Sequence, residues 1–518
     1  MDMEANESIP RNAPLSGAPE PIGQGLPPRP SAGGGALRDA ALLVILTGFL
    51  FTLALGINPA HRIQEVRVLE VSREMFASGD WIVPRFLGEF RLVKFPLAYW
   101  LCLAGYQLTG QVGEFSGRLF SGLAGVLTVL LAYALGRRLG SRRLALWCAI
   151  ILATSPLFFR FARYAETDGL MTCGTTAALY AFFRAFAETG LTPGRRSLWT
   201  ILGWGAMGIA FLAKGPAGLL MPLISVILYL AAGRQWRDIL RLFHPSGVLL
   251  LAIMVVPWPF AVYLRTGSFF DVMREQAEST MSGKVHGRTF FTALFFYPSK
   301  TSSDFAPWWV LLIPAVAVAA RGGLRRNRKV GFILAWAGGI VLQLCFVGNK
   351  QTHYILPAYP AFAALVAWWA DEEASRWSWL RDPRPRLLVA ILTTAMVVLL
   401  PVWVFAGWAL EKKADYCRDF ALAAKAVVGN APVFLHGDPV PEVVFYLGKL
   451  IPQAGPGPAG MDELLRQHKE FFVLARIESR KGEPDHDAAL RADGRFRVVL
   501  ESSKDQLPLR LYGPVGSP

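Results

Sequence analysis

Charged side chains at the ends of long apolar runs are the residues here with chemistry to offer. Carboxylates serve for proton transfer, and ammonium and guanidinium groups for holding phosphate. Beyond the first apolar run, "HRIQEVRVLEVSREM" sets Glu65 where it can face a cavity between helices, with Arg67 two residues on. Further along, "GEFRLVKFPLAYW" carries Lys94 ahead of an apolar helix start, followed by Tyr99 and Trp100. Lys94 either holds a lipid-linked phosphate or snorkels toward headgroups, and the aromatic pair either lines a site or anchors the chain at a membrane interface. "FARYAETDGLMT" places Arg163, Glu166 and Asp168 between two apolar runs. Asp168 is a helix cap on one reading and a carboxylate facing Glu65 across a cavity on the other, since ionisable groups at membrane spans are functional candidates by default. "VGNKQTHY" adds Lys350, His353 and Tyr354, with Lys350 either cradling a phosphate or snorkelling. "GKVHGR" puts Lys284, His286 and Arg288 in a long loop that suits either a mobile substrate contact or a solvated turn. His353 has no His or Cys partner at ligand spacing, so no metal site is assigned. The five cysteines show no paired spacing and are expected to be small core residues.

The elements that must position these residues are membrane helices. Of 518 residues, 53% are hydrophobic and only 18% charged, the composition of a polytopic membrane protein. Residues 1–37, rich in Pro, Gly, Ser and Ala, are expected to be a disordered cytoplasmic tail, ahead of an uncleaved first span. Eleven spans are expected within 38–411: the run "ALLVILTGFLFTLALGI" and residues 115–136, 144–162, 169–187, 198–213, 215–232, 246–264, 305–320, 330–347, 353–370 and 387–410. With the N-terminus cytoplasmic, every inward loop is basic, for example "GRRLGSRR", "GRQWRDILR" and "RGGLRRNRK". The formal charge of +15 therefore reports orientation rather than nucleic-acid binding. All the candidate residues then collect on the non-cytoplasmic face. In the loop after the first span, Val68, Val71 and Met75 recur at helical spacing, so an interfacial helix is expected, with Glu70, Arg73 and Glu74 solvated. Residues 412–518 alternate helix-like runs ("YCRDFALAAKAVV", "PEVVFYLGKL") with strand-like ones ("PVFLHG", "EFFVLAR", "FRVVLES"), which predicts a small extracytoplasmic α/β domain.

"EVSREMFASGDWIVPRFLGEFRLVKFPLAYW", "ARYAETD", "FLAKGP", "VPWPFAVY" and "KQTHYILPAYPAFAAL", in that order, resemble the bacterial GT-C membrane glycosyltransferases that include the aminoarabinose transferase acting on lipid A. Protein O-mannosyltransferases are more distant relatives of that family. The resemblance runs from about residue 38 to 370. It implies an all-α polytopic fold of GT-C type, with about 11 to 13 transmembrane helices and interfacial helices in the first outer loop, in a bacterial inner membrane. It further implies a polyprenyl-phosphate sugar donor, a lipid or cell-envelope glycan acceptor, and transfer at the non-cytoplasmic face. The family's Asp-Glu pair reads Gln64 and Glu65 here, and its Glu-Lys-Pro reads Val93, Lys94 and Phe95, with Pro96 one place on. Asp168 matches the second acidic position, and Lys350 with Tyr354 the later Lys and Tyr. Glu65 and Asp168 are thus the expected catalytic carboxylates. Arg67, Lys94, Tyr99, Arg163, Lys284, His286, Lys350, His353 and Tyr354 are the expected substrate-binding residues. No cofactor is assigned, and a divalent metal stays open. Two other readings compete: a transporter or flippase of envelope lipids, and a non-catalytic relative marked by Gln64 and Val93.

Overall fold

The computed structural model describes residues 32–60, 62–281, 290–348, 350–373, 384–411, 416–438, 440–455, 457–477, 486–502 and 509–515. Helix α1 (Ala32–Thr52) begins before residue 38, inside the stretch expected to be tail. Its one buried charge, Asp39, is compensated by Arg142 and by the Tyr133 hydroxyl, which donates to it at 2.9 Å. An unpaired carboxylate there would be strongly destabilising.

After α1 come α2 (Ile63–Ser78), the short antiparallel strands β1 (Arg85–Phe86) and β2 (Glu89–Phe90), and α3 (Leu97–Thr109). The bundle continues with α4 (Glu114–Leu139), α5 (Arg142–Ala153), α6 (Pro156–Phe161), α7 (Thr167–Phe182), α8 (Pro193–Lys214) and α9 (Pro216–Ala232). Then follow α10 (Trp236–Leu242), α11 (Pro245–Val255), α12 (Pro257–Thr266), α13 (Phe269–Met281), α14 (Phe290–Asp304), α15 (Trp309–Arg326) and α16 (Arg328–Cys345). A 3₁₀ segment (Thr352–Ala358), α17 (Tyr359–Trp368) and α18 (Arg384–Glu411) complete it. Each of the eleven expected spans is occupied by helix. Among the described residues, six helical stretches are long and apolar enough to cross a membrane: Gly35–Thr52, Glu114–Leu139, Pro193–Lys214, Pro245–Thr266, Arg328–Cys345 and Arg386–Ala406.

Several other expected spans are interrupted helices. Pro156 restarts the chain as α6 after α5, because proline cannot donate to the preceding turn. The last turn after α7 widens to π geometry over Phe183–Ala187. All ten residues of α17 are buried, as expected of a helix that is apolar all round and runs through the middle of a bundle.

The tail forms a four-stranded sheet. Its strands are β3 (Val433–His436), β4 (Phe472–Arg476), β5 (Phe496–Glu501) and β6 (Leu509–Pro514), in the order β3-β4-β6-β5, with β3 and β4 parallel and the other pairs antiparallel. Helices α19 (Tyr416–Val428) and α20 (Pro441–Leu447) share one apolar cluster with Phe472 and Leu474, while α21 (Gly457–Gln467) and α22 (His486–Ala492) share another with Val473 and Ala475. Alternation along β4 thus covers both faces of the sheet. The five elements expected in this tail are present, and α21, α22 and β6 are additional. This sheet unit docks on the bundle through Tyr446, whose hydroxyl donates to Glu114 Oε1 at 2.8 Å and accepts from the Ala60 N–H at 2.9 Å.

The docking corrects the expectation of a solvated α2. Glu70 and Arg73 form a bidentate pair at 2.6 and 2.8 Å, and Arg73 also donates to the Gly448 carbonyl at 3.0 Å. Burial pushes the Glu70 carboxyl up to about 7. Glu74 accepts the N–H groups of Leu87 and Gly88 at 2.6 and 3.1 Å. Both turn residues of that hairpin have positive φ, and the Glu74 carboxylate satisfies their donors. The charges face protein because α20 and the hairpin cover them.

Candidate active site

Asp168 opens α7 and Lys214 closes α8, so the antiparallel pair brings both to one end of the bundle. Lys214 Nζ donates to Asp168 Oδ1. The same ammonium lies 4.2 Å from the Tyr354 ring centroid, a cation–π distance. His353 Nε2 is 3.8 Å from Asp168 Oδ1, and its ring stacks on Phe161 at 4.9 Å. Arg62 lies over Phe161 and Tyr164, each at 5.2 Å, and donates to Glu166 at 2.7 Å. Burial pushes the Glu166 carboxyl up to about 7 despite that partner.

Lys94 joins this cluster from the loop before α3. Phe95, next to it, packs against Phe211, Trp258 and Phe269, with centroid distances of 4.8, 5.8 and 6.4 Å. That aromatic contact needs Gly215, whose φ is +65° and where a Cβ would fall 2.2 Å from the Phe95 ring. Gly215 and Pro216 therefore end α8 at Lys214 and leave room for the Lys94 loop beside it. Burial and the nearby Lys214 charge lower the Lys94 ammonium, while Asp168 raises it. Among the described residues Lys94 has no ion-pair partner, which leaves its charge available to an anion.

Glu65 lies in a different environment. It is fully buried, and both oxygens are occupied: Arg118 grips them at 2.7 and 2.8 Å, and the Ala165 N–H donates to Oε1 at 2.8 Å. Arg118 also donates to the Leu55 and Asn58 carbonyls at 2.6 and 2.7 Å. A carboxylate so engaged ties α2, α4 and the 163–166 turn together. Glu65 and Asp168 each have a cation of their own, Arg118 and Lys214.

Other expected binding residues are also committed elsewhere. Arg163 is buried, donates to the Leu50 carbonyl at 2.9 Å and covers Phe159. Lys350 Nζ caps the end of α16, donating to the carbonyls of Leu344 and Val347 at 2.7 and 2.8 Å. Tyr99 is buried in the packing of α3 rather than at an interface. Arg67 lies 6.0 Å from the Phe86 ring centroid, sharing that ring with Arg91. Lys284 and His286 lie outside the described residues. Lys214, Arg62, Arg118 and Glu166 had no role assigned from sequence. "FLAKGP" held a signal for Lys214, a lysine closing an apolar helix just before Gly-Pro, the C-terminal position where a cation is favoured. Among the described residues no three His, Cys, Asp or Glu side chains converge as metal ligands would.

Residues 93–262 match the family model described as dolichyl-phosphate-mannose-protein mannosyltransferase. The chain superposes on the crystal structure of ArnT from Cupriavidus metallidurans bound to undecaprenyl phosphate, with a TM-score of 0.76, 21% identity, and coverage of 93% of this chain and 98% of that one. The chain has the GT-C fold. The archaeal oligosaccharyltransferase AglB from Archaeoglobus fulgidus superposes with a TM-score of 0.57 at 13% identity, covering 86% of this chain and 70% of that one. In sequence, an uncharacterized protein of Aquifex aeolicus is 30% identical over 64% of each chain. An undecaprenyl phosphate-alpha-4-amino-4-deoxy-L-arabinose arabinosyl transferase of Edwardsiella ictaluri is 33% identical over 58% of this chain and 54% of its own length. The matched region thus spans less than two thirds of these two relatives.

Proposed function

We propose that this protein is a membrane glycosyltransferase that moves a sugar from a polyprenyl-phosphate donor to a lipid or envelope-glycan acceptor. The observation that carries the reading is the Asp168–Lys214–His353 cluster, with Lys94 beside it, on a GT-C fold. The names of the relatives support the donor class. The basic-loop pattern supports placing the cluster, and the α/β domain of residues 412–518, on the non-cytoplasmic side of the inner membrane.

In this reading Lys94 and Lys214 stabilise the phosphate that departs as the sugar's C1–O bond breaks, which is electrostatic stabilisation of developing charge. Asp168 holds Lys214 in place, and Tyr354 flanks the same ammonium. His353, within reach of Asp168, is the group free to take a proton from a hydroxyl acceptor. An acceptor that is already an anion needs no base, and the fully engaged Glu65 and the neutral Gln64 favour such an acceptor.

Incubation of the purified protein with isoprenoid-phosphate-linked sugars and a membrane-lipid acceptor tests this. Sugar should appear on the acceptor, and Lys214→Ala should reduce turnover by about 10²-fold or more. Movement of the labelled lipid across proteoliposomes with its sugar unchanged would instead establish a transporter. Wild-type turnover in Lys214→Ala would remove the cluster from the reaction.

A further inference from the structure

The opposite end of α8 carries a second built feature. A cavity of about 380 Å³ opens there between the first turns of α8 and the corner joining α10 to α11, within the range of ligand-holding clefts, about 300–1,000 Å³. Thr200, the lining residue on α8 nearest Lys214, lies 14 residues before it, so about 21 Å of helix separates the two. The cavity is independent of the sugar-transfer reading.

The polar lining comes from Arg196, Ser197 and Thr200 on α8 and from Arg241 and His244 at the corner. Arg196 and Arg241 both lean on one carboxylate oxygen of Asp238, at 3.6 and 2.9 Å. Two guanidinium groups against one carboxylate leave an uncompensated positive charge. Among the described residues, Arg196 Nε and His244 Nδ1 are buried without a hydrogen-bond partner, which a bound acceptor oxygen would supply. The starts of α8 and α11, at Pro193 and Pro245, also converge here, and their positive ends favour an anion. The corner is held in place: Trp204 Nε1 on α8 donates to the Leu242 carbonyl at 2.7 Å.

The flanks are apolar and open. Leu240 and Phe243 edge the cavity, and Leu198 and Leu202 on α8 and Leu249 and Ile253 on α11 are all exposed. A free phosphate has no use for such a surface, whereas acyl chains do. We infer that this cavity binds the headgroup phosphate of an anionic phospholipid, whose chains run along the exposed faces of α8 and α11.

The test uses the full chain in phosphatidylcholine nanodiscs containing a minor fraction of phosphatidylglycerol, with retained lipid counted by native mass spectrometry after detergent release. Wild type should retain phosphatidylglycerol over phosphatidylcholine by about tenfold. Arg241→Gln, a change at a mostly exposed side chain that leaves folding intact, should lower that preference. The Arg196→Gln, His244→Gln double variant should abolish it. Equal retention of both lipids by wild type, or an unchanged preference in Arg241→Gln and the double variant, would overturn the inference. So would displacement of the lipid by millimolar inorganic phosphate, which would mark a small-anion site.

Discussion

Glu65 and Asp168 are two buried acids in neighbouring parts of one end of the bundle, yet their surroundings differ in kind. Glu65 has an arginine fork and a backbone N–H on its oxygens, and Arg118 is in turn tied to two main-chain carbonyls. Asp168 has a lysine on one oxygen, and a histidine beside the same oxygen at a distance longer than a hydrogen bond. Arg118 is planar and multiply anchored, whereas Lys214 is a point charge on a flexible stem, free to turn toward a donor phosphate in the proposed reaction. The first arrangement fixes three segments of chain. The second leaves cations that can be reassigned when an anion arrives. Burial alone does not mark a working carboxylate; what its partner can do next is more informative.

Three perturbations separate these regions. The largest effect should come from Glu65→Ala, which strands Arg118 in the interior. Removal of one partner of a buried pair costs about 3–5 kcal/mol, so thermal unfolding should show a severe loss of folded protein. A melting curve like wild type would contradict the anchoring role. Glu166 comes next. Its carboxyl is lifted by burial from the ordinary 4.5 to about 7, so protonation favours the folded state. That contribution is full below about pH 4.5 and is lost as pH rises through 7. Stability measured for wild type minus Glu166→Gln should therefore fall by about 3 kcal/mol across that window, and a flat difference would show that Arg62 compensates the charge. The smallest effect is expected for Tyr446→Phe, which removes one hydrogen bond between the sheet unit and Glu114. A loss of about 1–2 kcal/mol is expected, seen as a lower melting temperature of the sheet unit, with no change meaning that α20 docks through Arg73 instead.

Much of the architecture was legible in the chain because long apolar runs and basic loops are dictated by the bilayer. The strands at Val433–His436, Phe472–Arg476 and Phe496–Glu501 were legible for a similar reason, since alternation shows in short windows. Strand β6 was not, because it enters the sheet between β4 and β5 and owes its place to non-local pairing. The candidate site was legible as a set of ionisable residues at helix ends. Which ones share a partner was not. Arg118 lies 53 positions from Glu65 and Lys214 lies 46 from Asp168, and nothing local encodes either pair. The same gap made Glu70, Arg73 and Glu74 look solvated, since the α20 surface that covers them comes from the far end of the chain.

The most direct measurement compares Glu65→Gln with Asp168→Asn for melting temperature and for sugar-transfer turnover per folded molecule. The account predicts that Asp168→Asn loses less melting temperature than Glu65→Gln, because Lys214 can swing away from the lost charge, while its turnover falls by about 10²-fold or more, and that Glu65→Gln melts markedly lower while its folded fraction keeps turning over. A stable, inactive Glu65→Gln beside an active Asp168→Asn would contradict it.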